Sequence, residues 1–158
     1  MMQLYPPGTS PLQPGLARHG RRPRLLIVDD QPVNIQALHR VFAGDCQVLM
    51  ATEGARALQL CRDRQPDLLL LDVQMPGMDG LQAVGHIREL PGDVAKTPVV
   101  ALTANVLSHQ RQAYLDAGMD GVVGKPISPA ALIGEIARLS APQAEPAEPS
   151  KTAARKSA

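Results

Sequence analysis

Apolar residues along this chain fall into five short runs, and stretches in which apolar positions recur every three or four residues separate them. The first run, LLIV at residues 25–28, ends in the acidic pair Asp29 and Asp30. Pro32 then opens a helical pattern, and the spacing predicts one stripe of Val33, Ala37, Leu38, Val41 and Phe42 that stops at Gly44. A weaker strand is predicted at residues 47–51 and a helix from about Glu53 to Arg64, with Ala55, Leu58 and Cys61 on one face. Pro66 leads into LLLLDVQMPGMDG, residues 68–80, where four leucines meet a single carboxylate at Asp72 and the chain breaks at Pro76, Gly77 and Gly80. Such a short continuous run reads as a strand buried on both faces, so Asp72 is delivered to the rim of a sheet.

Leu81, Val84 and Ile87 mark a third helix, closed by Pro91 and Gly92. Residues 97–105, TPVVALTAN, supply a fourth strand that leaves at Thr103 and Ala104. The fourth helix carries Tyr114 and Leu115 and stops at Gly118, a left-handed cap. Residues 120–124 form a fifth strand ending in Lys125 and Pro126. Ser128 and Pro129 offer an N-cap and a first helical proline for a stripe of Leu132, Ile133, Ile136 and Leu139. Five strands alternating with five helices imply a flavodoxin-like (βα)5 three-layer α/β sandwich with a parallel sheet in the order 2-1-3-4-5. Ligands in such folds bind outside the carboxyl ends of the strands. Asp29, Asp30, Asp72, Thr103 and Lys125 all fall there.

Composition narrows the picture. The chain of 158 residues has room for one ordinary domain at 24–140, and with only 2% aromatic residues its core must be aliphatic. Four arginines and no acid lie in residues 1–24, and three bases and two acids in 141–158; against a net charge of +1 this leaves residues 25–140 at −4. The Pro- and Gly-rich segment 1–23 and the Ala- and Pro-rich segment 141–158 show no periodicity and are read as disordered tails. The cluster Arg18, His19, Arg21 and Arg22 lacks aromatic interleaving and reads as a solvated tail rather than a nucleic-acid contact. Cys46 and Cys61 lack metal-ligand spacing and read as buried small hydrophobes in a reducing compartment. No stretch has the length of a signal peptide core or a membrane span, so the expected location is cytoplasmic, with no membrane partner. His39, His86 and His109, on predicted helices without acidic or nucleophilic partners, read as surface or packing residues.

Three carboxylates converging at the junction of strands one and three cannot stay unneutralised, because like charges raise one another's pKa or demand a cation. Hard oxygen ligands without His or Cys favour Mg²⁺, with Mn²⁺ as the substitute. A lysine and a hydroxyl across the pocket complete a site for a phosphoryl group, and Asp72 between metal and Lys125 is placed to attack phosphorus and become an acyl phosphate.

The segments LLIVDD, LLLLDVQMPGMDG, ALTAN and GKPI, in this order and spacing across residues 24–140, resemble the signatures of the receiver domain of two-component response regulators. The resemblance implies that Asp72 accepts a phosphoryl group from a sensor histidine kinase or a histidine phosphotransfer protein. It also implies that Asp30 and Asp72 bind Mg²⁺ with the backbone carbonyl of Gln74, while Asp29 assists. Thr103 and the Ala104 amide would hold phosphoryl oxygens, and Lys125, preceding a cis bond to Pro126, would pair with the phosphate.

One position departs from the family pattern. Three residues before the lysine the family carries Tyr or Phe, a ring that swings inward as the threonine moves to the phosphate; this chain has Val122. The chemistry should survive, but the usual readout through helix four, strand five and helix five is in question. Gln74 and Asn105 occupy positions that tune dephosphorylation in the family. The expected function is a stand-alone phosphoacceptor that signals by docking an unidentified downstream protein, without turnover of an external substrate. Two alternatives are a non-phosphorylated docking scaffold and an Mg²⁺-dependent aspartyl phosphatase of the haloacid dehalogenase type. The latter wants a second acid where this chain has Gln74.

Overall fold

The computed structural model describes residues 23–44, 46–104 and 107–140. The segments 1–22 and 141–158, expected as disordered tails, and Asn105 lie outside the described residues. Five strands, β1 (Arg24–Val28), β2 (Gln47–Ala51), β3 (Leu68–Asp72), β4 (Val99–Thr103) and β5 (Gly121–Gly124), alternate with five helices. The helices are α1 (Pro32–Phe42), α2 (Gly54–Arg64), α3 (Gly80–Arg88), α4 (Ser108–Asp116) and α5 (Pro129–Ser140), with a 3₁₀ turn at Asp93–Lys96. All pairings are parallel and the order is β2-β1-β3-β4-β5, as expected.

Successive side chains of a strand face opposite sides of the sheet, so each strand feeds two cores. Leu25, Ile27, Leu68, Leu70, Val100 and Leu102 pack with Ile35, Leu38 and Phe42 of α1 and Leu132 and Ile136 of α5. Leu26, Val28, Leu69, Leu71 and Ala101 pack with α2, α3 and Tyr114 of α4. Leu68 to Leu71 have no exposed surface, which is why β3 reads as an unbroken apolar run. Cys46 and Cys61 are free and buried, and burial pushes the Cys61 thiol up to about 11.

Two predicted helix faces need correction. On α1 the buried line is Ile35, Leu38 and Phe42, while Val33 and Ala37 are exposed. Apolar residues nearly encircle this helix, so periodicity leaves its rotation open and the largest side chains claim the sheet. Ala37 and Val41 instead line a groove of about 510 Å³ between α1 and the Lys125–Pro129 segment. On α2, Ala55 is exposed and Ala57, Leu58, Leu60 and Cys61 are buried.

Local signals fix the helix ends. Asp79 accepts from the Gln82 amide and the Gln82 side chain accepts from the Asp79 amide, a reciprocal cap that starts α3. Ser128 Oγ accepts from the Ala131 amide at 3.3 Å, as its N-cap reading requires. Gly118 takes φ 117°, the positive angle foreseen for the end of α4. At the sheet's other end Arg88 donates to the carbonyls of Ala95, Thr97 and Gly118 and pairs with Asp120 at 2.9 Å, binding α3 to the starts of β4 and β5. Sequence periodicity carries no sign of that clamp.

Candidate functional site

The parallel register brings the carboxyl ends of the central strands together: Val28 lies opposite Leu71, Asp72 opposite Leu102, and Thr103 opposite Gly124. The residues that follow or end these strands therefore share one rim. Asp29, Asp30 and Asp72 each bring a carboxylate oxygen within 4.8 Å of the other two. Lys125 Nζ stands 3.2 Å from Asp29 Oδ2 and 3.2 Å from Asp72 Oδ1. All four charged groups named from the sequence thus meet in one pocket.

Asp29, Asp72 and Lys125 are held from behind. Asp29 is fully buried; its Oδ1 accepts from the Gln31 amide at 2.9 Å and its Oδ2 from Asn34 Nδ2 at 3.2 Å. Asp72 Oδ1 accepts from the Gln74 amide at 3.1 Å. Lys125 follows the end of β5, its own amide donates to the Thr103 carbonyl at 2.7 Å, and its bond to Pro126 is cis, as the resemblance implied. Gly80 is the closest constraint on the Asp72 loop. A Cβ there would sit 2.7 Å from the Asp72 carbonyl oxygen and the Val73 Cα, so α3 approaches the loop only with glycine at that point.

The charges do not balance without help. Burial, and then the neighbouring Asp29 carboxylate, push the Asp72 carboxyl above its ordinary range, against the opposing pull of the Gln74 amide and Lys125. For Lys125, burial works against the ammonium form, but Asp29 and then Asp72 outweigh it and raise the pKa. One ammonium among three carboxylates leaves a net negative pocket built of hard oxygens, and that donor set fits a small divalent cation. His39, His86 and His109 are exposed on their helices and take no part.

Thr103 is buried at the end of β4, and its Oγ1 lies 3.2 Å from the hydroxyl of Tyr114 on α4. Sequence reading placed Thr103 at the rim but named Tyr114 only as a mark of the fourth helix, not as a partner of Thr103. At the departure position, Val122 is buried on the edge strand β5; its amide donates to Glu135 Oε2 at 3.2 Å and its carbonyl accepts from Arg111 at 3.4 Å.

Residues 25–137 match the response regulator receiver domain family. The chain belongs to that family. The match covers residues 25–137 of the span 23–140 in which the described residues lie. The chain is 36% identical over 131 residues to the sensor histidine kinase GacS of Pseudomonas protegens, covering 81% of this chain and 14% of that protein. A putative response regulator from Chloroflexus aurantiacus superposes with a TM-score of 0.71 at 31% identity, over 77% of this chain and all of that one. The receiver domain of the sensor histidine kinase PA1611 from Pseudomonas aeruginosa superposes with a TM-score of 0.64 at 31% identity, over 75% of this chain and 97% of that domain, and that structure has magnesium coordinated in its active-site cleft. This chain spans a small part of its kinase relative, and the similarity is to the receiver segment. Among the described residues no helix is long and apolar enough to cross a membrane.

Proposed function

We propose that this receiver domain accepts a phosphoryl group on Asp72 from the phosphohistidine of a sensor histidine kinase or a histidine phosphotransfer protein, and signals by docking a downstream protein when loaded. The observation that carries this reading is Lys125 Nζ lying 3.2 Å from both Asp29 and Asp72 inside the acidic cluster. A catalyst for phosphoryl transfer needs little beyond an in-line nucleophile and cations to absorb charge on the phosphoryl oxygens.

In this reading Asp29, Asp30, Asp72 and the Gln74 carbonyl hold Mg²⁺, or Mn²⁺ in its place. A bound Mg²⁺ supplies Lewis-acid neutralisation of the phosphoryl oxygens and lets the acids stay ionised together. Asp72 contributes a carboxylate oxygen that forms the new O–P bond as the P–N bond of the phosphohistidine breaks, and the electron pair of that bond returns to the imidazole. Lys125 pairs with a phosphoryl oxygen, while the Thr103 hydroxyl and the Ala104 amide donate to the others. Water later attacks phosphorus and restores the Asp72 carboxylate, so the domain turns over no substrate beyond its own acyl phosphate.

A small phosphodonor such as acetyl phosphate is expected to label the protein to one phosphoryl group per chain in Mg²⁺ and to leave Asp72→Asn unlabelled. Stoichiometric labelling of that variant would remove the assignment. Steady release of phosphate from an external ester would favour the phosphatase alternative instead. An intact protein that never labels would favour a docking scaffold.

A further inference from the structure

Helix α4 is poorly equipped to hold itself against the sheet. Its sequence, SHQRQAYLD, carries no apolar stripe, and of its described side chains Tyr114 alone is buried. That ring belongs to the same core cluster as Ala101, Met119 and Val122. A buried phenol needs a partner for its hydroxyl, and here the tip of the ring lies 3.2 Å from Thr103 Oγ1. The one buried side chain among the described residues of α4 therefore ends on the hydroxyl assigned above to a phosphoryl oxygen.

A threonine hydroxyl has one proton to donate. Either hydroxyl can be the donor of this pair; where Thr103 donates, turning its proton to a phosphoryl oxygen leaves Tyr114 only an acceptor to face, so Tyr114 must reverse its role or let go. Three residues earlier on the same helix, Arg111 reaches the Val122 carbonyl at 3.4 Å and Glu135 Oε2 at 3.7 Å. The helix thus touches the pocket at one residue and both β5 and α5 at another. We infer that Tyr114 is the positioning residue through which occupancy of Asp72 is conveyed, by way of Thr103, to α4 and from there to β5 and α5. It does what Val122, which has no ring to swing, cannot do. The inference rests on the phosphoacceptor reading of Asp72 and adds the path of its signal.

The chain has two tyrosines, Tyr5 and Tyr114, so a Tyr5→Phe protein grown with 3-fluorotyrosine carries one fluorine reporter at the tip of this path. Beryllofluoride with Mg²⁺ serves as the phosphoryl analogue, and its own fluorines report loading in the same spectrum. Loading is expected to shift the Tyr114 resonance in the full chain, and the shift is expected to be lost in Asp72→Asn. A bound beryllofluoride signal with an unmoved Tyr114 resonance would overturn the inference and leave the phosphoacceptor reading intact. Absence of a bound signal would overturn both. In Tyr114→Phe, which keeps the ring and removes the hydroxyl, the shift of the Val122 amide on loading is expected to be lost. Its persistence at wild-type size would show that the signal takes another route.

Discussion

At the residue scale, Asp72 shows what a buried carboxylate beside a second carboxylate costs. Burial first and Asp29 second hold its carboxyl above the ordinary carboxylate range. An acid raised in the folded state keeps its proton longer there than in the unfolded chain. Folding stability therefore falls as pH climbs from the ordinary carboxylate pKa through the raised one, and the full cost stands above it. Asp72→Asn removes the charge and with it the cost. In EDTA at pH 7 this variant is expected to melt roughly 2–6 °C above wild type. The gap should close as pH drops below the ordinary carboxylate range, and an equal or lower melting temperature at pH 7 would contradict the electrostatic account. Asp29, Asp30, Asp72, Thr103 and Lys125 were legible because each sits where an apolar run ends, and the register of a parallel sheet does the rest. Tyr114 was not, because its contact with Thr103 depends on the path of a connection that no periodicity encodes.

At the scale of elements, the edge strand β5 is finished by its neighbouring helices rather than by another strand. Glu135 of α5 accepts the outward Val122 amide and holds Arg138 at 2.9 Å and Arg111 at 3.7 Å, while Arg111 donates to the Val122 carbonyl. A carboxylate and a guanidinium thus occupy backbone groups that would otherwise invite a foreign strand. Gly121 makes the approach possible, since a Cβ there would meet the Glu135 carboxylate. Burial alone would raise the Glu135 carboxyl; Arg138, the Val122 amide and Arg111 outweigh it and hold the pKa below the ordinary 4.5. An acid lowered in the folded state contributes stability that is present above the ordinary value and lost as pH falls through the lowered one. Glu135→Ala is expected to cost about 1–3 kcal/mol near neutrality by denaturant titration, mostly for the unpartnered amide. Its stability should also fall less steeply than that of wild type below pH 4.5. Equal stability at pH 7 would mean that water replaces the carboxylate without loss. Strand and helix order were plain from the hydrophobic pattern, but the rotation of α1 and α2 was not. Val33 and Ala55 fit the period as well as the residues that are buried, and only packing against the sheet decides between them.

At the scale of the whole molecule, the fold sorts its functions between the two ends of one sheet. The end bearing the Arg88 clamp is satisfied by hydrogen bonds to backbone carbonyls, whereas the opposite rim gathers three carboxylates around one ammonium. The topology was legible because alternating strands and helices admit few right-handed parallel arrangements, and the order 2-1-3-4-5 sets strands one and three side by side with their acids. Repulsion at that rim opposes folding, so a cation that binds there must return stability to the entire domain. By mass action, a ligand that binds only the folded state at ten times its dissociation constant adds about 1.4 kcal/mol. Mg²⁺ at that level is expected to raise the melting temperature by roughly 2–8 °C. Asp30→Asn, which removes one negative charge from the cluster without disturbing the Lys125 pairs, is expected to lose most of the rise. Calorimetry in MgCl₂ against NaCl of matched ionic strength separates binding from screening, because screening depends on ionic strength and a filled site does not. An equal rise in both salts, or the same rise in Asp30→Asn, would mean that the acids are relieved by diffuse counterions and that no ion is seated among them.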